Sequence, residues 1–153
     1  MNKVAIYQVE GSALTTNING FVFSNSFDIS EGLVGVFSLG AGFFDGGFPD
    51  DSNANNPLYQ SIIGSQCTLR NMFITLRRYN TLNVPTGLTQ DFNIYQNGSS
   101  VVTISLDGTT DVLFPEQSLD ISFEKGDLIS FSYDNTSNLL KASITLHTYF
   151  ENA

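Results

Sequence analysis

Cysteine is almost missing from this chain of 153 residues: Cys67 is the single one, so no disulfide can form within it. Heading an apolar strand pattern, Cys67 reads as a small buried hydrophobe and not as a reactive thiol. Histidine is equally scarce, with His147 alone. A zinc centre takes three or four Cys or His ligands, and one of each falls short. Nucleophilic catalysis needs a base beside the nucleophile and a group to orient it. His147 lies on the polar side of the last strand pattern, where a surface or interface role is the plainer reading. Phosphate-loop and dinucleotide fingerprints are missing, and no Asp or Glu pair stands in a context that suggests glycoside hydrolysis. The expectation is a non-enzyme without a cofactor.

Positive charge is the next shortage. Six Lys and Arg face fifteen Asp and Glu, for a formal charge of −9, and the basic residues form no run beyond Arg77-Arg78. Phosphate contacts need a clustered positive field, so nucleic acid and anionic membrane are both disfavoured as partners. Charged residues of both signs make up only 14% of the chain, so its surface must lean on Ser, Thr, Asn and Gln. No apolar run approaches a membrane-spanning length. The first residues lack the uninterrupted apolar core and small-residue cleavage site of a signal peptide.

What is present is period-two alternation. Leu119, Ile121 and Phe123 alternate with Asp120, Ser122 and Glu124, and Ile129, Phe131 and Tyr133 with Leu128, Ser130 and Ser132. Both read as half-buried strands, joined at Gly126-Asp127 in a hairpin-like unit. A second unit surrounds Asn97-Gly98. A three-residue loop, Gln96-Asn97-Gly98, pairs Ile94 with Ser100 and Phe92 with Val102 and so gathers Phe92, Ile94, Val102, Ile104 and Leu106 on one face; a two-residue turn would separate them. Cys67 and Leu69, then Met72, Ile74 and Leu76, alternate with a phase slip at Asn71, which predicts a β-bulge. Ala142, Ile144 and Leu146 mark a long terminal strand, and Phe21, Phe23, Phe27 and Ile29 an early apolar segment. The run 33–39 is apolar enough to be buried on both sides, with Gly35 at a bulge or a close backbone approach. Residues 3–9 alternate as a short strand or extended arm. No helix emerges, and short strands at this spacing make a sandwich or barrel of one domain.

Residues 40–57, dense in Gly, Asn, Asp and Pro, read as a long surface loop. Its oxygen-rich side chains make Asp45, Asp50 and Asp51, beside Asn53, Asn55 and Asn56, the calcium candidates. The fixed spacing and terminal Glu of a recognised calcium loop are lacking, so a solvated loop is the plainer reading. Phe43, Phe44 and Phe48 should pack down on the domain or on a neighbouring subunit. Arg70, Arg77 and Arg78 are candidates for intersubunit salt bridges on this acidic chain.

Three turn elements carry a resemblance: Leu69-Arg-Asn-Met72, Phe92-Asn-Ile-Tyr-Gln-Asn-Gly98 and Lys125-Gly-Asp-Leu-Ile-Ser130. Over residues 58–150 the chain resembles the trimeric jelly rolls of the complement C1q and tumour-necrosis-factor type. Within these it is most like versions in phage virion proteins and in the collagen-like glycoproteins of the Bacillus exosporium. The resemblance implies an all-β, antiparallel jelly-roll sandwich of about 8 to 10 strands, assembled as a homotrimer. Residues 1–20 would then be an arm or first strand, and 21–153 the jelly roll. The implied role is structural: a capsid decoration or cement protein on the virion surface, gripping a shell protein. The alternative is a receptor- or carbohydrate-binding head of a tail fibre or of a spore surface.

Overall fold

The structure, a computed structural model, describes residues 20–30, 32–39, 45–78, 89–107, 112–135 and 142–153. Residues 1–19 of the expected arm 1–20, Phe43 and Phe44, and residues 80–88 of the expected loop 80–89 lie outside the described residues.

Among the described residues ten strands run in chain order: β1 (Gly20–Ile29), β2 (Val34–Phe37), β3 (Asp45–Gly46), β4 (Ser61–Ile62), β5 (Cys67–Arg78), β6 (Thr89–Gln96), β7 (Ser99–Asp107), β8 (Val112–Phe123), β9 (Leu128–Asp134) and β10 (Ala142–Asn152). Among the described residues only two short 3-10 turns, Ser52–Asn55 and Pro57–Tyr59, interrupt them. One sheet has the order β3-β1-β10-β5-β8, the other β2-β9-β6-β7 with β4 also on β9. Setting aside the two-residue strands β3 and β4, each sheet has four strands joined by antiparallel ladders. With those two set aside, the chain changes sheet at every connection except that from β6 to β7. That interleaving of two Greek keys is a jelly roll.

The inward faces are aromatic. Phe27, Phe37, Phe92, Phe123, Phe131 and Phe150 are fully buried together with Tyr133. Phe27 stacks on Phe37 at 3.9 Å between ring centroids, and Phe131 lies 5.8 Å from both Phe37 and Phe92. Each such ring contributes roughly 1.5–3 kcal/mol by leaving water. Gly35 belongs to this layer because the Ile29 side chain occupies the space where a Cβ would stand. The close approach expected there is observed.

Three readings of register are sharpened or corrected. The phase slip in β5 is real: between Leu69 and Asn71 the ladder skips Arg70, so that Leu69 faces Phe150 while Asn71 faces Tyr149. Cys67 and Leu69 before the slip, and Met72 and Ile74 after it, are all buried. At Asn97-Gly98 the chain makes a two-residue turn, not a three-residue loop. Both residues have positive φ, 51° and 79°, and Gln96 pairs with Ser99. This turn suits the right-handed twist of the strands. The apolar residues still share a face, because Val101 is an extra residue in β7: Tyr95 faces Ser100, Ile94 faces Val102 and Phe92 faces Ile104. Val101, left over, is 42% exposed.

The supposed hairpin around Gly126-Asp127 is not one. β8 pairs with β5 in one sheet and β9 with β6 and β2 in the other, so residues 124–127 form a corner across the sandwich. Phe123 and Phe131 meet in the core from opposite sheets, an arrangement that alternation alone does not distinguish from a hairpin. β9 is also buried on both faces: Ser130 and Ser132 are each 1% exposed. Their cover is the segment expected to be a plain surface loop, described next.

Candidate functional site

Chemistry-bearing side chains gather on the outward face of the second sheet. Val36 of β2, Ser130 and Ser132 of β9, and Asn93 and Tyr95 of β6 share that face by register. Over it lies the stretch 48–60. Phe48 exchanges backbone hydrogen bonds with Val34, both at 2.7 Å, and its ring meets Tyr59 edge-on at 5.1 Å. Ala54, 1% exposed, is the centre of the lid, and its carbonyl accepts from Ser130 Oγ at 3.0 Å and from Gln60 Nε2 at 2.9 Å. Together with Val34, Val36 and Tyr95, Ala54 makes a second, smaller core outside the sandwich.

Tyr95 fastens the lid. Its hydroxyl donates to Asp51 Oδ2 and shares a hydrogen bond with Ser132 Oγ at 3.1 Å. Burial, then the Asp51 bond, pushes the phenol up to about 12. Asp50 is turned to its own loop: its carboxylate accepts from Ser52 N at 3.0 Å, and its bonds to the Ser52 side chain and backbone hold it below the usual carboxylate range. A small cleft of about 260 Å³ is lined by Val34, Pro49, Asp50, Asp51, Asn93 and Asp134. Among the described residues no three His, Cys, Asp or Glu converge as metal ligands. Asp45 lies in β3, and its side chain is outside the described set. The geometry gives Asp50 and Asp51 local work, capping a turn and holding Tyr95.

The arginine expectations divide. Arg70, the bulged residue of β5, forms ion pairs within the chain to Glu151 at 2.6 Å and to Asp120. As the residue left out of the β5–β10 ladder, Arg70 engages two carboxylates of its own sheet. Arg77 and Arg78 end β5, with side chains outside the described set. Phe48 packs against Tyr59 and the small core of its own chain. Cys67 is 1% exposed, and desolvation raises its thiol. His147 is exposed on the outer face of the first sheet, with Ser24 and Phe73 as cross-strand neighbours.

At the end of the sandwich, Asp127 fastens two turns. Its carboxylate accepts from Asn97 Nδ2 at 2.8 Å, from the Glu124 amide at 2.9 Å and from Gln96 Nε2 at 2.7 Å. These bonds, that of Asn97 foremost, hold it below the usual carboxylate range. Asn97 in turn exchanges hydrogen bonds with Leu128, its N–H donating to the carbonyl at 2.8 Å and its Oδ1 accepting from the amide at 2.9 Å.

One feature had no sign in the sequence beyond its phenylalanines. Between the sheets, beside β1 and β4, a cleft of about 340 Å³ is lined by Phe21, Phe23, Leu39, Ile62 and Ile63. Ile62 is 73% exposed and Leu58 82%. The lining is mostly apolar, with Ser61 its one side-chain hydroxyl, so this cleft suits packing against another chain.

The strand order defines a jelly-roll protein. No family model and no curated protein matches the chain. Solved structures similar to it include one of the infectious bursal disease virus Gx strain, at 9% identity and a TM-score of 0.32, over 88% of this chain and 37% of that one. Another is the VP2 subviral particle of infectious bursal disease virus, at 10% identity and a TM-score of 0.30, over 88% of this chain and 41% of that one. This chain thus spans well under half the length of either. The assignment to the jelly roll rests on the strand order of the chain itself. Among the described residues no helix is long and apolar enough to cross a membrane.

Proposed function

We propose that this chain is a non-enzymatic structural protein of a virus-like particle: a homotrimeric jelly roll that decorates or cements a phage-type capsid at the virion surface. The observation that carries the reading is the exposed apolar seam, where Ile62 stands 73% exposed on the rim of a cleft of aromatic and aliphatic side chains. Apolar surface that a folded domain leaves in water marks contact with another protein. The acidic, weakly charged exterior fits a partner that is protein and neither nucleic acid nor membrane. The threefold state and the decoration role come from the resemblance carried by the three turn elements.

The carbohydrate-binding alternative would draw support from rings exposed for stacking. Phe48 and Tyr59, the described aromatics of the 40–60 stretch, are spent on each other. Light scattering on the purified protein tests the assembly. Three copies at micromolar concentration are expected, and a monomer there would overturn the trimer. Co-sedimentation with capsid shells lacking the protein tests the decoration role separately.

A further inference from the structure

Asn97 and Gly98 make the tight turn between β6 and β7, and the same pair is chemically labile. The side-chain amide of an asparagine can be attacked by the backbone nitrogen of the residue that follows it. Gly98 has no side chain to obstruct that approach. In the attack a bond forms between Gly98 N and Asn97 Cγ, the Cγ–Nδ2 bond breaks, and Nδ2 leaves as ammonia, taking the proton that the Gly98 amide gives up. Water then opens the resulting cyclic imide at either carbonyl, leaving an aspartate or an isoaspartate at position 97.

In the folded chain that attack is opposed from two sides. The Asn97 N–H donates to the Leu128 carbonyl at 2.8 Å, Oδ1 accepts from the Leu128 amide at 2.9 Å, and Nδ2 donates to Asp127 Oδ1 at 2.8 Å. Both ends of the side-chain amide are thus committed to the corner before β9, and swinging it over the Gly98 nitrogen means releasing them. On the other side, the Asn55 side chain stands where a Gly98 Cβ would be, so the lid crowds the turn as well. The two turn residues sit at positive φ, 51° and 79°, and rotating the peptide between them would give up the turn that pairs Gln96 with Ser99.

We propose that Asn97 is a deamidation site latched by Asp127, converting only when the corner at residues 124–128 lets go of the turn. The product does not fit the latch. A carboxylate at position 97 has no hydrogen to give Asp127 and sets a second negative charge against it. The isoaspartate also lengthens the main chain inside the turn. Conversion therefore loosens the join between turn and corner irreversibly and adds one negative charge to the formal −9. The reaction needs no partner chain, so it stands whatever the assembly.

The test is peptide mapping by mass spectrometry of the full chain after incubation at mildly alkaline pH, in buffer and in urea. Position 97 should gain the mass of the amide-to-acid change in urea, and do so at least about tenfold more slowly in buffer. Asp127→Ala should raise the rate in buffer at least about fivefold, because a lost hydrogen bond to a charged group shifts the local opening, and leave the rate in urea unchanged. Ile144→Val, a mild truncation on the core face of the first sheet, should leave both rates near the parent's. No conversion at position 97 in urea would overturn the site. Equal rates in buffer and urea, a rate in Asp127→Ala equal to the parent's, or an equal rise in Asp127→Ala and Ile144→Val would overturn the latch. Asn97→Asp gives a second readout: amide exchange at Glu124 and Leu128 should become at least about tenfold faster, and unchanged exchange would overturn the loosening of the corner.

Discussion

The two sheets use their outward faces differently. The first shows water a polar array, in which Ser26 Oγ and Thr145 Oγ1 share a hydrogen bond at 2.9 Å across β1 and β10, and His147 and Phe73 stand opposite one another. The second hides its outward face beneath residues 48–60, where two serines and a tyrosine that strand alternation would assign to solvent are buried and bonded. The difference teaches that a serine on a strand is ambiguous: it tolerates water on one sheet, and on the other it fastens a lid.

Truncation of the main core sets the scale for breaking that contrast. Phe131→Ala should cost about 3–5 kcal/mol, read as a lower urea midpoint. Tyr95→Ala should cost about 3 kcal/mol, because it empties the small core, takes the phenol from Asp51 and leaves Ser132 to Asn93 alone. His147→Ala, on the bare face, should stay within about 0.5 kcal/mol. Equal losses at Tyr95 and His147 would erase the distinction between the faces.

Tyr95→Phe sharpens it. Losing only the hydroxyl should cost about 1 kcal/mol. The phenol is raised from 10.0 to about 12 in the folded chain, so its contribution is full below pH 10 and disappears as pH rises towards 12. Urea melts of the parent across that window should lose stability that the Phe variant does not lose. A smaller effect than that of the hydroxyl belongs to Asp127. Its carboxyl is lowered from 3.8, so its stabilisation is present above that value and lost as pH falls through the folded one. Asp127→Asn should weaken the protein slightly at neutral pH and flatten its acid limb in thermal melts. An acid limb identical to the parent's would show that the turn holds without this charge.

Strand content was legible where one face is apolar and the other polar, as at Leu119, Ile121 and Phe123, or at Ile144 and Leu146. The bulge at Arg70 was legible as a phase slip, because a one-residue insertion moves every later side chain to the other face. The bulge at Val101 was not, since a different turn length explains the same shared face. Whether β8 and β9 are neighbours or face one another across the core was equally hidden, for both arrangements bury Phe123 and Phe131. The lid was hidden most deeply. Asn-rich sequence around Ala54 looks like solvated loop, and its burial depends on Ser130, Tyr95 and Gln60, which lie far away or across a turn. Of the expected cation candidates, Asp51 is the one whose carboxylate meets a distant side chain, the Tyr95 phenol.

Cys67, alone and closed off at the head of β5, has a practical meaning for anyone handling the protein. It sits between Phe123 of β8 and Asn152 of β10. A thiol reagent reaches it only when the terminal strand or its neighbour peels away. Every labelling event therefore times one opening of the first sheet, and the native chain carries its own stopwatch with no engineered probe.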